Sequence, residues 1–157
     1  MGADPGDARA NRLAALFRAA PLPRWRAMFA IVCAAAALLS AGGMLEYGTG
    51  SPETQGTPAA TYWALLFALH VVAFAGAGLL AAFPALAQLS IKLAWLAVAA
   101  VVYGLAFAVW YAHQAPDAPV LADWLVRSPA FVPAALAIVV GLCLPPLPAD
   151  CRSDHQL

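Results

Sequence analysis

Four stretches of this chain are apolar and contain no charged residue: Ala27 to Leu45, Ala60 to Phe83, Leu93 to Ala112 and Pro129 to Pro148. Each is close to the ~20 residues that carry a helix across ~30 Å of hydrocarbon. The pattern predicts an all-α membrane protein with four transmembrane helices, at about 27–45, 60–83, 91–112 and 129–147, in a compact antiparallel bundle. What remains is a tail over 1–24, a C-terminal tail over 149–157 and three connections, so no soluble domain fits beside the membrane domain at 25–148.

The polar segments between the spans carry their own signals. Over residues 7–20, Leu13, Leu16 and Phe17 recur at helical spacing while Arg9, Arg12 and Arg18 fall elsewhere around the wheel. This predicts a short interfacial helix before the first span, ended by Pro21 and Pro23. Trp25, Arg24 and Arg26 then mark the inner boundary of that span. The first outer loop, Glu46 to Thr57, is Gly, Ser, Thr and Pro chemistry with two carboxylates and no basic residue. The second connection, Phe83-Pro84-Ala85, is apolar, and its proline suits a break or a first helical turn, so spans two and three should form a tight antiparallel hairpin. Pro116-Asp117-Ala118-Pro119 starts a second short interfacial helix, with Val120, Leu121, Trp124 and Leu125 on one face and Asp123 and Arg127 free to point to water. Pro145-Pro146-Leu147-Pro148 ends the fourth span by removing backbone donors.

Composition agrees with a membrane solvent, at 64 % hydrophobic and 10 % charged residues. The net charge is zero, so the placement of the basic residues carries the information. Arg9, Arg12, Arg18, Arg24 and Arg26 precede span one, Lys92 lies in the second connection and Arg152 follows span four, whereas Arg127 alone sits in an outer loop. By the positive-inside rule both termini are cytoplasmic, and the alanine-rich style places the protein in a bacterial inner membrane. Cleavage of the first span as a signal peptide is disfavoured by Leu39 at the −3 position and by a long n-region. The start Met-Gly-Ala-Asp-Pro-Gly lacks the Ser or Thr of a myristoylation signal. Asp4, Pro5 and Asp7 break up the arginine-bearing tail, so no nucleic-acid partner is expected. Cys33, Cys143 and Cys151 form no C-x-x-C pair and offer neither a disulfide framework nor metal spacing.

Aromatic residues test the boundaries independently, because Trp and Tyr favour the headgroup level. Tyr47, Tyr62, Trp63, Trp110, Tyr111 and Trp124 fall at outer edges, and Trp25 and Trp95 near inner ones. Rows of small residues predict close helix packing, with Cys33, Ala37 and Ala41 in span one and Ala73, Ala77 and Ala81 in span two. Ala100, Gly104 and Ala108 form the row in span three, and Ala137 and Gly141 that in span four.

His70 is the readily titratable side chain near the middle of a span, which makes it a functional candidate by default. With span two entering at Tyr62, the helical rise puts His70 ~12 Å below the outer boundary, and Tyr103 of span three reaches the same depth. One expectation is a structural hydrogen bond from the Tyr103 hydroxyl to the His70 imidazole, with Gly104 permitting close approach. The other makes His70 and Tyr103 cofactor-binding residues, with His70 ligating a b-type haem or contacting a quinone. His113 lies ~12 Å higher and His155 lies in the tail, so a bis-histidine site would need a second copy of the chain or a partner. Ala68-Leu69-His70-Val71-Val72, with Gly76, Gly78 and Pro84 downstream, resembles the histidine helix of small haem-associated membrane families, including the four-helix protoporphyrinogen oxidases. The likeness covers under twenty residues, and Phe74 and neutral residues stand where those families have a Trp and an inner basic residue, so it assigns no membership.

The spans hold no carboxylate, and no Gly-rich phosphate loop, Ser-His-Asp set or H-E-x-x-H appears at usable spacing. Glu46 and Lys92 read as solvated or snorkelling interface residues. The function expected from the chain is therefore that of a small non-catalytic accessory or assembly subunit of a larger membrane complex. Its partners would be the lipid bilayer and other membrane subunits or itself. The alternatives are an electron-transfer subunit using His70, and a small oligomeric transporter or lipid-handling protein.

Overall fold

A computed structural model of the protein describes residues 22–50, 56–113 and 128–145. Within them 90 % of residues are helical and no strand occurs. The order is α1 (Arg24–Thr49), α2 (Pro58–Ala82), a 3-10 turn (Pro84–Leu86), α3 (Leu89–His113), a second 3-10 turn (Ser128–Phe131) and α4 (Val132–Cys143). The two interfacial helices expected over 7–20 and 116–127, the tail up to residue 21 and the C-terminal tail over 149–157 lie outside the described residues.

Three helices, α1, α2 and α3, are long and apolar enough to cross a membrane, with 26, 25 and 25 residues. At the helical rise they span ~37–39 Å, more than the hydrocarbon they would have to cross. Their ends follow local chemistry. Thr57 caps α2 by accepting the Ala60 N–H at 3.3 Å, and Pro58 occupies the first turn, where its missing donor costs nothing. Phe83 donates to Leu79 O at 2.9 Å as α2 ends, and Pro84 opens the 3-10 turn that reverses the chain within residues 83–88. The tight hairpin expected from Pro84 is present. Ser40 and Thr49 return their hydroxyls to Ala36 O and Leu45 O, at 2.8 and 2.7 Å, so neither is left unpaired.

The fourth helix is shorter than the expected 129–147. Its α-helical part stops at Cys143, and Leu144 is extended at φ −62, ψ 123. The reason is local: the residue before a proline is driven out of the helical region, and Leu144 precedes Pro145.

α2 is the central element. α1 and α3 run antiparallel to it, as the pairs Cys33 with Gly78 and Gly43 with Phe67 require for α1, and Trp95 with Val72 and Trp110 with Tyr62 for α3. α4 runs parallel to α2, since Leu144 packs with Leu80 and Ala81 near its end while Phe131 packs with Tyr62 and Leu66 near its start. The backbones of α3 and α4 come close at few points and the two helices meet through side chains of α3, so the bundle is three helices around α2 and not a closed ring of four. The core joins Cys33, Leu69, Ala73, Ala77, Ala99, Ala134 and Ala137.

Trp95 of α3 is the wedge of this core. Its Nε1 donates to Val72 O at 2.7 Å, its ring covers Gly76 of α2, and a Cβ on Gly141 of α4 would come within 2.6 Å of it. One indole therefore fills the space that two glycines leave on neighbouring helices. The rows Ala73, Ala77, Ala81 and Ala137, Gly141 are buried as expected, and Cys33 is as well. In α3 the expected row is wrong. Ala100, Gly104 and Ala108 are exposed, Gly104 has nothing within 4 Å of a built Cβ, and the buried line is Lys92, Ala99, Ala106 and Trp110. In an alanine-rich helix every face offers small residues, and the bulky Trp95 and the charge on Lys92 decide which face turns inward. Tyr62 and Trp110 likewise pack on each other in the interior, at 2 % and 3 % exposure, instead of facing headgroups.

Candidate functional site

His70 stands midway along α2, and its position there follows from the uninterrupted apolar helix around it. Its Nδ1 lies 2.7 Å from Leu66 O, one turn back on the same helix. A carbonyl oxygen only accepts, so Nδ1 carries the hydrogen in this bond and Nε2 stands outside it. Phe67 and Phe74 flank the ring at centroid distances of 6.3 and 6.2 Å. This face of α2 belongs to the α1 side, because Phe67 sits under Gly43 and stacks with Tyr47 at 5.7 Å.

Tyr103 is elsewhere. It packs edge-on against Phe131 at 5.2 Å and stacks with Phe107 at 6.4 Å, in the gap between α3 and α4. Among the described residues no hydrogen bond joins it to His70. The two expected site residues share a depth but not a face: Leu69, not His70, faces the α3–α4 gap. The bond to Leu66 O satisfies Nδ1 within the same helix and engages one of the two ring nitrogens.

The gap is an open groove of about 270 Å³. Its floor is Leu69 and its walls include Ala99, Ala100, Tyr103, Ala134 and Ala135. Ligand sites of ~300–1,000 Å³ orient their contents through a few placed polar groups. This groove is smaller and apolar throughout, which suits an acyl chain or the face of another helix.

The second constellation is polar, and the sequence reading missed it. Lys92, read as a snorkelling interface residue, is 8 % exposed, and its Nζ donates to Leu142 O and Leu144 O, each at 2.7 Å. Arg26 is 4 % exposed and donates from Nη2 to Pro145 O at 2.6 Å, with its guanidinium 5.4 Å from the Trp25 ring centroid. The last carbonyls of a helix have no partner within it and carry the negative end of its dipole, so cations are favoured there. Two residues from the first turns of α1 and α3 thus cap α4. The signal available in sequence was the lone lysine in an otherwise uncharged connection. Its partner, 50 residues away, was not legible.

Charge is segregated along the bundle. Among the described residues the cations Arg24, Arg26 and Lys92 gather at one end, and the single carboxylate, Glu46, lies twenty residues along α1 at the other. No group of three His, Cys, Asp or Glu that could hold a metal ion occurs among the described residues. Comparison of the chain with protein-family profiles, with curated proteins and with solved structures finds no match.

Proposed function

We propose that this chain is a four-span protein of a bacterial inner membrane, with both termini in the cytoplasm, that serves without catalysis as an accessory or assembly subunit of a larger membrane complex. The observation that carries the reading is the α3–α4 groove, whose alanine walls let another helix backbone approach closely. Association in lipid depends on such close packing, because apolar area alone gains nothing against lipid tails.

Several features support the span count and orientation. The second 3-10 turn and α4 together cover roughly 26 Å, close to the hydrocarbon thickness. Arg26 and Lys92 tie the end of α4 to the starts of α1 and α3, so these three ends lie at one level. The cations cluster at that level, as the positive-inside rule asks of a cytoplasmic face.

The test is native mass spectrometry of the tagged chain extracted in mild detergent from its own host. We expect an assembly larger than the 16.2 kDa chain, lost when Ala100 and Ala135 are both changed to Leu to fill the groove. Recovery of the single chain alone would overturn the reading. A homo-oligomer that moves solute or lipid in liposomes would assign it instead to transport or lipid handling.

A second reading makes the protein an electron-transfer subunit using His70. What favours it is the tautomer: a histidine that ligates a metal donates its other ring N–H to a carbonyl or carboxylate, as His70 Nδ1 does to Leu66 O. A Soret band in the purified protein, absent from His70→Ala, would support a haem. A wild-type protein without that band would exclude it.

A further inference from the structure

We propose that the end of the bundle where Arg26 and Lys92 both reach the terminal carbonyls of α4 binds the phosphate group of an anionic membrane lipid. The inference rests on the membrane reading above. It starts from an imbalance. Capping the carbonyls of Leu142, Leu144 and Pro145 needs hydrogen-bond donors, and a neutral amide would supply them. The protein instead buries two full charges there, and burying a charge is costly unless it is paired.

The dipole of α4 offers ~0.5 of a negative charge against these two cations, and the N-termini of α1 and α3 at the same level add positive potential. Glu46, the only carboxylate among the described residues, is ~30 Å away along α1. Among the described residues neither cation is in an ion pair. Each also keeps donors in reserve: Lys92 uses two of its three N–H groups and Arg26 one of five.

A tetrahedral oxyanion with several acceptor oxygens is the group that such a set would take up. Arginine binds it through paired N–H groups and lysine as a point charge. The depth is right for a lipid headgroup. Arg26 is the third residue of α1 and Lys92 the fourth of α3, and the exposed Trp25 beside them is of the residue type that settles at the headgroup level. Arg24, exposed at the same end, adds attraction for anionic lipid.

The experiment reconstitutes the full chain in nanodiscs of phosphatidylcholine alone, of phosphatidylcholine mixed equally with phosphatidylglycerol, and of phosphatidylcholine with inorganic phosphate in the buffer. The midpoint of thermal unfolding is read in each. We expect phosphatidylglycerol to raise it by about 5 °C over phosphatidylcholine alone. The rise should vanish in the double variant Arg26→Gln, Lys92→Gln, which replaces both charges by neutral amides. A rise with inorganic phosphate equal to that with phosphatidylglycerol would assign the site to a soluble phosphate and overturn the lipid. Equal midpoints in both lipids, or a rise that survives the double variant, would overturn the site altogether.

If the double variant does not fold, the lipid co-purifying with the wild-type chain decides. Enrichment of anionic lipid over the bulk membrane supports the site, and a bulk-like composition overturns it. Failure of the membrane reading looks different: the chain would stay in the aqueous fraction and not enter any nanodisc.

Discussion

Gly76 and Gly141 are where a single methyl group matters most, because both face the Trp95 indole. Gly76→Ala would drive a Cβ into the ring nitrogen, displacing the indole and its 2.7 Å bond to Val72 O. Overpacking of this kind costs about 1–3 kcal/mol, and the lost hydrogen bond adds about 1 kcal/mol. Gly141→Ala should be destabilising as well, by the smaller part of that range, since the close contact is with the far edge of the ring and Ala77 Cα lies at 3.4 Å. Gly104→Ala serves as the control. With nothing within 4 Å it should be neutral or gain up to about 1 kcal/mol from helix propensity. Unfolding of the three variants in mixed micelles would rank them, and equal stabilities would refute the wedge.

At the scale of elements, α4 depends on its neighbours for its end. It carries no basic residue in its last turn, and the capping charges come from α1 and α3. Lys92→Met keeps the length and apolar stem of the side chain but removes two charge-assisted bonds to α4, a loss of about 2–3 kcal/mol. Hydrogen exchange at the amides of Gly141, Leu142 and Cys143 should then accelerate by at least tenfold, while those in the middle of α2 stay protected. Uniform exchange across both helices would mean that Lys92 holds the whole bundle and not one helix end. The first turn of α2 allows a smaller test. Thr57→Ala should cost about 1 kcal/mol through loss of the cap on Ala60 N–H, measured by the same unfolding assay.

For the whole molecule, the segregation of charge predicts orientation. Single cysteines introduced over 51–55, in a chain whose own cysteines are replaced by serine or alanine, should react with an impermeant maleimide in intact cells. Labelling only after permeabilisation would invert the bundle and place Arg26 and Lys92 on the outer face.

Long charge-free runs were sufficient in sequence to place α1, α2 and α3, because a span is defined by length and transfer free energy, which single residues report directly. The prolines marked the hairpin and the end of α4 for a similarly local reason, namely their missing donor and the constraint on the residue before them. Facing was not legible. His70 and Tyr103 match in depth, yet depth comes from counting residues, whereas the face of a helix depends on what its neighbours bury. In helices built so largely of alanine, no row of small residues stands out from the others. The choice was made by a few large or charged side chains, Trp95 entering the space left by Gly76 and Gly141, and Lys92 and Arg26 reaching the carbonyls of α4. Those contacts join residues far apart in the chain, and only the assembled bundle brings them within bonding distance.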